Sequence, residues 1–273
     1  MNVLSPDKQL AVLTNLVEGC SIRATARITG ADKNTILKLL VAVGTRCAAL
    51  LDMQIRGVRC TAIECDEIWT FIHTKERQLR EEARVMHPTY GDMYTFVAFD
   101  PATKLVPSFL VGKRDGLTAL HFMQDLRSRV VGRLQISTDG FSPYVDAIER
   151  AFGADADYAQ LIKIYEAGEA GMGRYSPPHV TETVIKLIAG NPVPESICTS
   201  YVERNNLTIR MQLRRFTRLT NAFSKKLENL KAALALHFWH YNFCRLHSSI
   251  RVTPAMEAGI TDQLWGLEDL LHA

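Results

Sequence analysis

The chain has 273 residues, 47% hydrophobic and 22% charged, with a mean hydropathy close to zero. That composition supplies one sizeable core or two small ones and excludes a largely disordered chain. The formal charge of +3 is too small to name a partner. Its distribution says more, because Glu203–Arg251 holds ten Lys or Arg and only two acids, a local +8 that leaves −5 for the rest of the chain. A polyanion is drawn to such a segment; a solvated helix face is the plainer reading.

No apolar run approaches a membrane span of about 18 residues, since Lys231 interrupts Leu227–Trp239. Met1–Asp7 lacks the basic start and apolar block of a secretory signal. The six cysteines (20, 47, 60, 65, 198 and 244) form no Cys-x-x-Cys pair. Reduced thiols in a cytoplasmic protein are therefore expected.

Ser5-Pro6 opens a helix through Leu10, Leu13, Leu16 and Val17, which Gly19 ends. A second short helix fits Ser21–Thr29, with Gly30 in the turn. A third begins near Asp32 with Ile36, Leu39, Leu40 and Val43 as its apolar face. Three helices with a glycine turn before the last match a helix-turn-helix, expected over residues 1–50. Lys33, Asn34, Thr35 and Lys38 then lie on the free face of a recognition helix. A plain three-helix packing unit has the same pattern.

The period then changes. Val58–Phe71, Met93–Phe99 and Leu105–Val111 read as strands, the last two joined by the Asp100–Lys104 turn. Leu117–Val130 reads as a helix, Leu134–Thr138 as a strand, Ser142–Phe152 as a helix and Ala159–Ile164 as a strand. This order predicts an α/β fold, a mixed sheet flanked by helices, followed by long helices. Thr74–Tyr90 reads as a charged, partly helical insertion, and Ala167–Ser196 as a long Gly- and Pro-bearing connection.

Three acids stand out by position. Asp66 follows the apolar strand Thr61–Cys65, Asp139 follows Ile136–Thr138, and Glu203 begins the basic helix. Carboxylates at strand ends project into the crevice where open sheets place their ligands. Converging carboxylates repel unless a divalent cation neutralises them, and oxygen donors favour Mg²⁺ or Mn²⁺. Two such ions suit phosphoryl transfer. Each acid has a structural rival. Asp139-Gly140 can be a turn; Asp66 has Glu64 and Glu67 beside it, with strand alternation placing Glu67 on the opposite face. Ser200-x-x-Glu203 has the form of a capping box.

Glu203, Asn206, Arg210 and Arg214 fall on one helical stripe, suited to a metal-bound phosphate. Arg215, Arg218, Lys225 and Lys226 extend the basic surface. Lys113 and Arg114, after a strand, suit either DNA contact or a solvated rim. His237, His240, Cys244 and His247 have zinc-ligand chemistry, but one straight helix cannot wrap four ligands around a tetrahedral ion. Trp69, Phe71 and Trp239 read as core.

The blocks Cys65–Trp69, Val111–Asp115, Ser137–Gly140, Tyr201–Leu207, Arg214–Lys226, Tyr241–Arg245 and Arg251–Met256 resemble the DDE transposases of bacterial insertion sequences, most closely the insertion-sequence-one family. The resemblance implies a ribonuclease-H-like catalytic domain, here residues 58–255, with 256–273 as a tail. It implies a catalytic, metal-holding triad of Asp66, Asp139 and Glu203 with two divalent ions. The implied activity is cleavage at the ends of a mobile element, then attack of the freed 3′-hydroxyl on target DNA. Double-stranded DNA is the implied partner, with at least a dimer pairing two ends. Arg245 falls in one of the matching blocks and is expected at DNA. Members often carry an N-terminal zinc module, and no cysteine cluster is present there. The readings from other classes are a DNA-binding regulator with structural acids and a stand-alone nuclease.

Overall fold

The computed structural model describes residues 4–166, 179–217 and 220–272. Three helices come first: α1 (Pro6–Val17), α2 (Ile22–Thr29) and α3 (Lys33–Gln54). The Ser21 hydroxyl caps α2 by accepting from the Ala24 amide, and Gly30 ends it at φ 67°, the left-handed region glycine enters without steric cost. Asp32 then caps α3 by accepting from the Asn34 amide.

These helices are not a detached unit. Only Val12, Ala31 and Ile36 form a small core of their own. Leu40, Val43, Cys47, Leu51 and Ile55 belong to the main core, because α3 runs on to Gln54 and packs along α8 (Leu227–Trp239). The helices touch at Gly44, where a Cβ would stand 2.5 Å from the Ala232 Cα and carbonyl oxygen. The unit expected over residues 1–50 therefore shares its core with the α/β part of the chain.

The remaining strands are β1 (Val58–Arg59), β2 (Ala62–Ile72), β3 (Gly91–Phe99), β4 (Ser108–Gly112), β5 (Val130–Val131), β6 (Leu134–Thr138), β7 (Ala156–Glu166) and β8 (His179–Ala189). β1 and β5 form a two-stranded parallel pair. The other six make one mixed sheet in the order β4-β3-β2-β6-β7-β8. β2–β6 and β6–β7 are parallel, and the other neighbours antiparallel. The helices α5 (Gly116–Arg129) and α6 (Pro143–Phe152) connect β4, β6 and β7. Phe96 on β3 packs against Phe122 of α5 and Tyr144 of α6, whereas Phe109 on β4 meets Phe238 of α8. This is the mixed sheet flanked by helices that the alternation of periods predicts.

Two segments depart from these expectations. β8 falls where the composition predicts a connection; it instead pairs antiparallel with β7, forming the sheet's exposed edge. Arg174 and Tyr175 lie outside the described residues. Thr74–Tyr90 is partly helical as expected, with one 3-10 turn, Glu76–Gln78, and a short helix, α4 (Glu81–Met86). Finally, α7 (Ser200–Gln212) stops well short of the expected long basic helix. Leu213 and Phe216 are buried anchors that pull the chain into the core, and a 3-10 turn follows at Arg214–Phe216.

The C-terminal segment closes the core. It contains α9 (Pro254–Glu257) and α10 (Asp269–His272). Trp265 packs edge-on against Trp239 and Phe243, and Leu267 and Leu270 are buried. The Arg46 guanidinium donates to the Leu270 carbonyl. No helix among the described residues is long and apolar enough to cross a membrane.

Candidate metal centre

β6 pairs with β2 only over Ala62–Cys65. Asp66 is the first β2 residue beyond that pairing, and Asp139 the first residue beyond β6. Two parallel neighbours thus bring both acids together where their pairing stops: Asp139 follows its strand as expected, whereas Asp66 lies within β2, which runs on beside β3 to Ile72.

Asp66, Glu67 and Asp139 each offer a carboxylate oxygen, and these atoms lie within 4.8 Å of one another. It is the only such group of three His, Cys, Asp or Glu among the described residues. Asp66 is held at both oxygens: Oδ1 accepts from the Glu67 amide and Oδ2 from Asn206 Nδ2, each at 2.8 Å. Asp139 Oδ1 accepts from the Phe141 amide at 2.9 Å, so the turn reading is also correct. Its Oδ2 accepts from Arg114 Nη2 at 3.3 Å. That arginine, stacked 4.0 Å from the Phe141 ring, also donates from Nε to Glu67 Oε2 at 2.9 Å.

The electrostatics follow from this crowding. Burial, then the charge of Glu67, raises Asp66 from 3.8 to about 7; Asp139 and Glu203 add to the effect. Burial and Asp139 likewise raise Glu67, although the Arg114 guanidinium and the nearby Tyr144 hydroxyl oppose them. The Glu67 side chain is only 2% exposed, and no donor meets its buried Oε1 in hydrogen-bonding geometry. Buried, mutually repelling oxygen donors with an unsatisfied lone pair fit a hard divalent cation.

Glu203 stands outside that group. Its Oε1 accepts from Thr199 Oγ1 at 2.8 Å and pairs with Lys163 of β7, although its charge still reaches Asp66. The capping box does not form. Thr199 occupies the N-cap, the Ser200 amide meets Cys198 Sγ, and the buried Glu64 accepts from the Val202 amide at 2.9 Å. Glu64 therefore satisfies the helix start, which explains a buried acid that takes no part in the carboxylate group.

The basic residues divide. Asn206 is buried against Asp66, and Arg210 follows one turn later on α7, half-buried. Arg214 leaves the expected stripe because α7 ends before it. Arg214, Lys225, Lys226 and Arg245 are exposed, Arg215 is half-buried, and Arg218 lies outside the described residues. Lys33, Asn34 and Lys38 are exposed and Thr35 half-buried on α3. Arg114 braces the carboxylates, and Lys113 Nζ bonds Glu76 and the carbonyls of Tyr90 and Asp92; both side chains stay partly exposed.

The His237–His247 set makes no metal group among the described residues. Burial lowers His237 to about 3, neither ring nitrogen has a partner, and a π-helical turn at His240–Cys244 carries the chain away.

No known family profile matches this sequence, and no curated protein does. Among solved structures, the chain is similar to a piggyBac transposase in a synaptic complex with hairpin DNA. The TM-score is 0.40 at 9% identity, over 99% of this chain and 70% of that one.

Proposed function

We propose that this protein is a metal-dependent DNA transposase that cleaves strands at the ends of an insertion sequence and joins the freed 3′-hydroxyl to target DNA. The observation that carries the reading is the Asp66–Glu67–Asp139 group where the pairing of two parallel strands stops. The motif resemblance and the basic segment after α7 supply the substrate class, double-stranded DNA. Pairing two element ends calls for at least a dimer, and a protein of this kind works in the cytoplasm on the nucleoid.

Asp66 and Asp139 would hold Mg²⁺ or Mn²⁺, with Glu67 or Glu203 completing the set. Glu203 takes that role, and a two-ion site forms, if Lys163 releases it. When bound, the ions lower the pKa of a nucleophilic oxygen and stabilise the leaving one. The chain's own residues then hold the geometry. Asn206 fixes the Asp66 carboxylate, Arg114 spreads the charge of Glu67 and Asp139, and Arg210 faces the phosphate from α7. No covalent enzyme intermediate is required, because water and then the DNA 3′-hydroxyl act as nucleophiles. On the same reading Lys33, Asn34, Thr35 and Lys38 contact DNA from α3. Arg214, Arg215, Arg218, Lys225, Lys226 and Arg245 neutralise its backbone.

The test is a joining assay with duplexes carrying the DNA that flanks the gene, a supercoiled target, Mg²⁺, and Asp139→Asn as control. Joined product that disappears in the control supports the proposal. Nicks without joining indicate a stand-alone nuclease, and bound, intact DNA indicates a regulator.

A further inference from the structure

β8 ends the six-stranded sheet, and among the described residues no strand lies beyond it. Its outer side therefore carries a row of backbone amides and carbonyls without a ladder partner, a template for pairing with another extended chain. At 11 residues the strand is about twice the usual length. Register shifts against β7 bound a regular stretch, Glu182–Leu187, which contains no proline. Its side chains are exposed apart from the half-buried Val184, and Ile185 and Leu187 are apolar yet 47% and 62% exposed. Charge normally blunts such an edge. Here the stretch holds one acid, Glu182, and one base, Lys186, and neither forms an ion pair among the described residues.

The order of these residues is self-complementary. Two identical antiparallel strands related by a two-fold axis normal to the sheet oppose residues of the same face, so the axis passes through a residue. With the axis at Val184, Glu182 of each copy faces Lys186 of the other, once at either end of the pairing. Between them Thr183 faces Ile185, and Val184 meets itself. Moving the axis by one residue sets both charges against Val or Ile. Moving it by two sets Glu182 or Lys186 against its own copy. One register alone pairs the charges, and like charges directly opposed are destabilising.

We propose that β8 is a self-association edge: two copies of this chain join antiparallel through Glu182–Lys186 and make one continuous sheet. Main-chain hydrogen bonds supply the affinity, and the crossed Glu182–Lys186 pairs fix the register. The interface forms without DNA or metal and does not rest on the DNA-processing reading. It does set the spacing of the two sites. Thr138, next to Asp139, is in register through Gln160 with Lys186, two residues from the axis. The carboxylate groups of the two copies therefore lie level with the seam, five strand spacings or about 24 Å apart across the sheet.

The experiment is sedimentation velocity on the full chain in EDTA without DNA, over roughly 1–100 µM, the range in which small interfaces associate. Wild-type protein is expected to pass from monomer to dimer. Glu182→Lys and Lys186→Glu should each weaken the dimer at least about tenfold, because each sets like charges opposite one another twice. Combining the two substitutions should restore it. Both side chains are exposed, so the variants should melt with dilute wild type, which excludes misfolding. Directly opposed residues are close enough for a disulfide. Under oxidation Val184→Cys should therefore cross-link two copies, and Leu187→Cys, which the register sets opposite Thr181, should not; wild type gives the background of the native thiols. A monomer throughout the range leaves the edge to a different partner and overturns the inference. A dimer that survives both single substitutions, or a double variant no tighter than the singles, overturns it as well. The readout uses neither metal nor DNA, so its failure and that of the joining assay are separate results.

Discussion

Replacing Asp66 with asparagine should make the metal-free protein more stable while abolishing its chemistry. The Asp66 carboxyl is raised from 3.8 to about 7 by burial and by Glu67, so above neutral pH the folded chain holds a charge that the unfolded chain carries freely. At 1.36 kcal/mol per pH unit the rise corresponds to about 4 kcal/mol. An acid raised on folding costs stability as pH climbs from about 4, and the cost is complete above about 7. Asparagine avoids it with little loss of contacts. Its oxygen accepts from the Glu67 amide as Asp66 Oδ1 does, and its amide meets Asn206, whose buried Oδ1 has no donor, once that side chain flips. Thermal melts in EDTA at pH 5 and pH 8 test this. Wild type should lose stability between the two, and Asp66→Asn should melt roughly 10 °C higher at pH 8. Added Mg²⁺ should raise the wild-type midpoint and leave the variant unmoved. A variant that melts at or below wild type at pH 8 refutes the reasoning, because the site would then hold no stored repulsion.

Other substitutions separate the remaining roles. Glu67→Gln and Glu203→Gln distinguish the acids that could complete the site: the one that matters should weaken Mn²⁺ binding at least tenfold by titration calorimetry, the other less than threefold. Arg114→Ala removes the cation bridging Glu67 and Asp139; metal-free melting should drop, most at high pH, while Mn²⁺ affinity rises severalfold. Gly44→Ala places a methyl against the Ala232 backbone, and denaturant melts should show a loss of about 1–3 kcal/mol. His237 is lowered to about 3 from 6.5, so it withdraws stability as pH falls below about 6.5, and His237→Phe should flatten the acid limb of the stability curve.

Much of this arrangement is readable from residue order, because local period survives packing. β3, β6, α5 and α6 fall where alternation and helical spacing put them, and Asp139 follows its strand as expected; Asp66 meets it from within β2, where the β6 pairing stops, and not from a strand end. Glu67 escapes the same reasoning. Alternation assigns it to the face opposite Asp66, yet its carboxylate still reaches the group where β2 loses β6 after Cys65, a proximity that local pattern does not show. Glu64 as the cap of α7 is a contact across 138 positions, beyond any local pattern. The end of α7 at Gln212 is hidden for a similar reason: no Gly or Pro marks it, and Leu213 and Phe216 break the helix by being buried elsewhere. Residue type assigns Trp69 and Phe71 to the core, yet they border an open cleft.

The seam between α3 and α8 sets a mechanical condition. A 22-residue helix measures about 33 Å, and this one is clasped at its middle to the layer that backs the sheet. Any duplex gripped at its leading end is consequently registered against the acids as though by a caliper, with no swivel between grip and blade. Inserting a few base pairs between the gripped sequence and the cut should therefore abolish cleavage rather than move it.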